Sequence, residues 1–340
     1  MTGKTLLRVR DLKVHFPVAS ESLFGEKRWL KAVDGVSFEL DEHETLGIVG
    51  ESGCGKSTLA RALLRLVPLA GGEVEFAGRN LATLEDKAMR AARRDIQMIF
   101  QDPLASLDPR MTVGKIIDEP LATLFPKMRR GERTRRVRAM MERVGLLPNQ
   151  INRYAHEFSG GQAQRIGIAR ALVVEPTLVV CDEPVSALDV SIKSQVINLL
   201  QDLQRELGLS LIFIAHDLGS VRHISRRVVV LYLGKVMEIA DSTALYNNPR
   251  HPYTQMLIAA APIADPGIAR QRDLKVVRGE LPSPLAPPSG CPFRTRCTYA
   301  IERCAQEGPA LREVGASRVA CHRADEPAVA TAFTKARTKE

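Results

Sequence analysis

"TLGIVGESGCGKST" occupies residues 45–58. An apolar strand, 45–49, runs into Gly50, Glu51, Ser52, Gly53, Cys54, Gly55, Lys56 and Ser57, and a helix is predicted from Thr58 through "TLARALLRL". G-x-x-x-x-G-K-[ST] between a strand and a helix is the pattern of a phosphate-binding loop. The glycines let backbone N–H groups close around phosphate oxygens, and the helix start adds the positive end of its dipole. Lys56 has the reach for β- and γ-phosphates, and the Ser57 hydroxyl is a ligand for Mg2+. An ordinary strand–turn–helix is the bland alternative, and the complete motif in its full context argues against it.

Two further stretches extend the same chemistry. "TLVVCDEP" (177–184) predicts a short buried strand ending in two acids. Asp182 is placed to hold Mg2+ through water, and Glu183 to polarise an attacking water. A helix-capping turn is the competing reading. In "FSGGQAQRIGIARAL" (158–172), Gly160 and Gly161 free the backbone, Ser159 is a good N-cap, and Gln162 opens the predicted helix. A Ser-capped, Gly-rich helix start is itself an anion site. One phosphate loop needs one such end, so the second is expected to serve another molecule's nucleotide.

Composition narrows the class. The chain has 340 residues, 45% hydrophobic and 26% charged, as a folded globular protein does. The N-terminal "MTGKTLLRVRDLKVHF" is too short in apolar run and too charged for a signal peptide. No run approaches the ~18 apolar residues of a membrane span. A cytosolic protein is expected, where structural disulfides are rare. The net charge of +9 suits a solubility surface, nucleic acid or an anionic membrane. Its densest stretch, 126–145, predicts a helix with Met140, Met141 and Val144 on one face and solvated arginines around it.

Taken together, these motifs resemble the ATP-binding-cassette (ABC) ATPases. "FSGGQ" carries the likeness furthest, with Phe158 where the family usually has Leu. Gln101 in "MIFQDP" matches the Q-loop glutamine, residues 186–189 ("SALD") the D-loop, and His216 in "LIFIAHDL" the switch histidine. Phe16 stands in the place of the aromatic that stacks on adenine, with Trp29 a rival because residues 17–30 look like an insertion. Cys181 is read as core.

"FQDPLASLDPRMTVGKIIDEPL" (100–121), "NNPRHPYTQML" (247–257) and "GELPSPLAPPSGCPFRTRC" (279–297) are similar to the ATPase subunits of oligopeptide and dipeptide importers, and within their ATPase pair to the F-type partner. The likeness runs from about residue 5 to 325. It implies an α/β fold: an ABC-type P-loop ATPase core with a helical subdomain, plus a small C-terminal cysteine-containing extension. The nucleotide-binding domain is expected at 1–245 with its helical insert at about 102–172. The extension would cover 246–325, and 326–340 would be a disordered tail.

The resemblance also implies an ATPase that energises peptide import, peripheral on the cytoplasmic face of the inner membrane. Its partners would be a D-type ATPase in a heterodimer, two transmembrane permease subunits and an extracytoplasmic substrate-binding protein, with no nucleic acid. Two ATP molecules would lie head to tail. Lys56, Ser57, Gln101, Asp182, Glu183 and His216 would act on one, with Ser57, Gln101 and Asp182 around Mg2+. Ser159, Gly160, Gly161 and Gln162 would reach the γ-phosphate of the other. A soluble ABC ATPase acting on nucleic acid or ribosomes is the alternative, and a non-catalytic scaffold is disfavoured because every catalytic position is filled. The cargo is not legible.

Of six cysteines, Cys291, Cys297, Cys304 and Cys321 lie in the last fifty residues. Four thiols in a reducing compartment suggest a metal. Zinc usually takes tight C-x2–4-C pairs, absent from this set. Wide spacing suits a [4Fe–4S] cluster, as the resemblance suggests. Zinc, or reduced thiols packed as small hydrophobes, remain alternatives, and His322 is an outside candidate ligand.

Overall fold

The computed structural model describes residues 4–18, 28–260 and 280–330. The core of the expected insertion (19–27), part of the expected C-terminal extension (261–279) and the end of the tail (331–340) lie outside the described residues.

Two long strands, β1 (Thr5–Val18) and β2 (Arg28–Asp41), precede β3 (Thr45–Val49), helix α1 (Lys56–Leu63), β4 (Gly71–Phe76) and β5 (Arg79–Asn80). Then come α2 (Asp86–Ala92), β6 (Ile96–Ile99), α3 (Val113–Leu124), α4 (Arg130–Arg143), α5 (Gly160–Leu172), β7 (Leu178–Asp182), α6 (Val190–Leu207) and β8 (Ser210–Ala215). The chain continues through α7 (Leu218–Ile224), β9 (Arg227–Tyr232), β10 (Lys235–Asp241), α8 (Ser242–Asn247) and α9 (Pro252–Ala260). After residue 280 follow α10 (Arg303–Gln306), β11 (Arg312–Val314), β12 (Ser317–Val319) and α11 (Pro327–Ala330). These elements form two compact units.

The first unit comprises Met1–Leu7, Glu39–Thr45 and Glu75–Ala215. Its strands β6, β7 and β8 run parallel, with Ile96 opposite Leu178 and Asp182 opposite Ile214. Every residue of β7 and β8 is buried. Parallel strands are covered on both faces, so they read as near-continuous apolar runs. The crossover helix α6 ends at Gly208, whose φ of 64° gives the left-handed turn a helix C-terminus favours. The helical insert holds α3, α4 and α5. In α4, Val137, Met140 and Met141 are buried, as is Val144 just beyond it. This is the apolar face the sequence predicts. Arg133 of α4 reaches Asp118 of α3 at 2.8 Å.

The second unit comprises Arg8–Phe38, Leu46–Val74 and His216–Glu340. Its strands are ordered β11-β12-β10-β9-β3. β3 pairs parallel with β9, while β9–β10, β10–β12 and β11–β12 are antiparallel. The C-terminal extension thus adds two strands to the sheet that carries the phosphate loop, with Glu238 opposite Val319. Buried Glu238 accepts the N–H groups of Arg250 and His251, each at 2.9 Å, and so fixes the turn into α9. The start of the tail is helical: Val329 is buried in α11, and its carbonyl accepts from Gln255 Nε2 at 3.0 Å.

Candidate functional site

In the second unit, the wholly buried β3 delivers the chain to the phosphate loop. Gly55 has φ 103°, and a Cβ there would meet the Ala32 carbonyl oxygen at 2.1 Å, so only glycine suits the position. It is also the N-cap of α1, and no side chain caps that helix. Its first-turn N–H groups form an end of the kind that takes phosphate. The Lys56 ammonium lies inside the loop, donating to the carbonyls of Gly50 at 2.8 Å and Glu51 at 3.1 Å. Burial pushes the neighbouring Cys54 thiol up in pKa, which makes it a packing group.

Glu51 is held from three sides. Its N–H donates to the Tyr253 hydroxyl at 2.9 Å, its carbonyl accepts from Lys56, and its carboxylate takes both Arg296 Nη atoms at 2.6 and 2.9 Å. Sequence reasoning used "HPY" and "CPFRTRC" only as marks of resemblance and missed both contacts. Tyr253 and Arg296 sit among other polar residues in "NNPRHPYTQML" and "CPFRTRC", so no local signal singled them out.

The first unit brings other expected residues together. Asp182 ends β7 and is 1% exposed. Glu183 follows with φ 47°, its N–H donating to the Ile214 carbonyl at 3.0 Å. Gln101 Nε2 donates to the Glu183 carboxylate at 3.1 Å. Ser159 caps α5 reciprocally with Gln162: the Gln162 N–H donates to Ser159 Oγ at 3.4 Å, and the Ser159 N–H to Gln162 Oε1 at 3.1 Å. Space is scant at Gly161 but not at Gly160. A Cβ on Gly161 would meet Ile192 at 2.7 Å, and one on Gly160 would touch Leu188 of the D-loop at 3.7 Å.

The remaining expected residues lie on other elements. Phe16 is partly buried on β1, and Trp29 stands 49% exposed on β2. Exposed His216 precedes Asp217, whose carboxylate caps α7 through the N–H groups of Gly219 and Ser220. Cys181 is fully buried, with its pKa pushed up to about 12 by that burial, as a core residue.

The four C-terminal cysteines line one hollow, together with His251 and Phe293. The Cys291 N–H donates to the Cys304 carbonyl at 2.8 Å, and the N–H groups of Tyr299 and Arg323 point at the sulfurs of Cys297 and Cys321, each at 3.4 Å. Burial, with the neighbouring thiols adding to it, pushes Cys291 up to about 12 and Cys297 to about 11. Sulfurs sharing a low-dielectric hollow with N–H donors suit thiolates once a cation compensates them. Even so, no group of three or more His, Cys, Asp or Glu among the described residues is arranged to hold a metal ion. His322 also borders the hollow, but its Nε2 lies 3.0 Å from the Glu307 carbonyl.

A phosphate loop, a strand-end acid pair with its glutamine and a Ser-capped Gly-Gly helix on an α/β framework define an ABC-type ATPase. Residues 33–186 match the ABC transporter family model, and residues 237–304 match the family described as oligopeptide/dipeptide transporter, C-terminal region. The chain is 58% identical over 324 residues to the oligopeptide transport ATP-binding protein OppF of Escherichia coli, covering 95% of this chain and 97% of that one. It is 56% identical to OppF of Haemophilus influenzae, covering 93% and 96%. Among solved structures, the ATP-binding cassette MJ0796 bound to ADP and Pi superposes with a TM-score of 0.62 at 27% identity, covering 70% of this chain and 99% of that one. The chain belongs to the ATP-binding subunits of oligopeptide ABC transporters. No helix among the described residues is long and apolar enough to cross a membrane.

Proposed function

We propose that this chain binds and hydrolyses ATP to drive peptide import, as the F-type half of an ATPase pair. The reading is carried by the hydrogen bond of Gln101 to Glu183, 3.1 Å long, directly after the buried acid Asp182. Lys56 and the uncapped start of α1 bind the phosphates. The oxygen donors of Ser57, Gln101 and Asp182 suit Mg2+, a hard cation that would neutralise phosphate charge. Gln101 orients the Glu183 carboxylate, which takes the proton of the attacking water or orients that water. His216 steadies the γ-phosphate region.

Ser159, Gly160, Gly161 and Gln162 serve the nucleotide of a D-type partner. Two permease subunits and an extracytoplasmic binding protein complete the complex, with this chain peripheral on the cytoplasmic face. The family membership supports transport over action on nucleic acid or ribosomes. Cys291, Cys297, Cys304 and Cys321 would hold a [4Fe–4S] cluster, supported by their shared hollow and wide spacing. When bound, such a group supplies either a structural link or a one-electron centre.

Glu183→Gln tests the chemical role. In the assembled complex, ATP binding is expected to persist while turnover falls by about 100- to 10,000-fold, the span of general acid–base contributions. Near-normal turnover would remove Glu183 from this role.

A further inference from the structure

Glu51 is a charged residue inside a phosphate-binding loop. It places a carboxylate directly after Gly50, in a segment that must receive a polyanion. Like charges at close range are unfavourable in a partly buried site. The structure holds a counter-charge for it, drawn from 245 residues away in the chain. Arg296 grips both oxygens of Glu51, and its side chain is only 5% exposed, against 28% for Glu51. Its guanidinium lies 5.9 Å from the Tyr232 ring centroid and 6.0 Å from that of Phe293. Tyr232, Tyr253 and Phe293 pack on one another with centroids 4.7 to 5.4 Å apart. Arg296 Nε is buried without a hydrogen-bond partner; the two Nη atoms serve Glu51, and Nη1 also donates to the Tyr232 hydroxyl at 3.5 Å.

The two residues that hold Glu51 from outside the loop, Tyr253 and Arg296, both come from the C-terminal part of the chain. Cys291 and Cys297 bracket Arg296, whose own N–H donates to the Phe293 carbonyl at 3.1 Å. A fork held in aromatic walls, paired with a loop carboxylate, is a rigid strut as well as a neutralising charge.

We propose that Arg296 is a positioning residue for the phosphate loop: through Glu51 it neutralises and fixes the loop, so the cysteine segment sets the affinity of this chain for Mg·ATP. The proposal rests on the reading of residues 50–57 as the nucleotide site. Removing Arg296 leaves an unpaired carboxylate in the phosphate loop. Removing Glu51 as well takes that repulsion away.

The test is steady-state ATPase of the complete transporter. Arg296→Met should raise the KM for ATP about tenfold, with kcat changed by less than about threefold, the loss expected for a bidentate charged pair. Arg296→Lys keeps the charge without the fork and should fall between. Adding Glu51→Gln to Arg296→Met should bring KM part of the way back to the parent, because it removes the repulsion but not the loss of the strut, and a purely structural residue gives no such rescue. An unchanged KM in Arg296→Met, or equal KM in the single and double variants, overturns the proposal. Should Arg296→Met not fold, Arg296→Lys is read instead: a KM raised about threefold supports the strut, and an unchanged KM overturns it. Lys56→Ala separates the two readings. If it abolishes nucleotide binding while Arg296→Met leaves KM unchanged, only the strut fails; if it leaves binding intact, the nucleotide-site reading itself fails.

Discussion

Glu183 combines a strained backbone with an expected chemical role. Its φ of 47° lies in the left-handed region, where a side chain costs about 1–2 kcal/mol relative to glycine. The conformation is held by two contacts seen above, its N–H on the Ile214 carbonyl and its carboxylate on Gln101. Strain of this kind persists where the surroundings over-determine it, and it aims the carboxylate away from the line of β7. A pair of variants isolates the backbone term, because neither retains the carboxylate. Glu183→Gly should be more stable than Glu183→Ala by about 1 kcal/mol in urea unfolding, while both lose turnover. Equal stability of the two would mean that no strain is stored at this residue.

The cysteine segment is the element whose chemistry most needs a direct measurement. Burial raises Cys291 and Cys297 to about 12 and 11, so without a cation these two stay as thiols at neutral pH. Purified without oxygen as part of the complex, the chain should carry about four irons and an equal amount of sulfide, with broad absorbance near ~400 nm. Cys297→Ser should lower that iron content. One zinc without iron would replace the cluster with a structural clip, and no metal would return the four cysteines to packing. Much of the surrounding fold was legible in sequence. β3, β7 and β8 announced themselves as short apolar runs because parallel strands are buried on both sides. Ser159 marked the N-cap of α5, and Met140, Met141 and Val144 marked the inner face of α4. What escaped was non-local or too short to have a period. β11 and β12 have three residues each, below the length at which alternation can be read. The Arg296–Glu51 pair joins two loops 245 residues apart, with no repeat to connect them.

At the level of the whole molecule, the chain presents two helix starts suited to anions, and they are built differently. The α1 start has no side-chain cap and lies beside a lysine. The α5 start is closed on itself by Ser159 and Gln162. A self-capped end can exchange its internal hydrogen bonds for those of an incoming γ-phosphate, so it suits a nucleotide delivered by a second subunit. If that is its use, turnover belongs to a pair. This chain alone should hydrolyse ATP slowly, and titration with its D-type partner should raise the rate to a plateau at one to one. Ser159→Arg tests the direction of the exchange, since it fills the helix start and leaves the sequence of residues 50–57 unchanged. It should leave nucleotide binding by this chain unchanged and still collapse the partner-stimulated rate by about tenfold or more, as loss of a charge-stabilising donor does. A rate that rises linearly with this chain alone, or a Ser159→Arg complex with parental turnover, would instead place the whole reaction within one subunit.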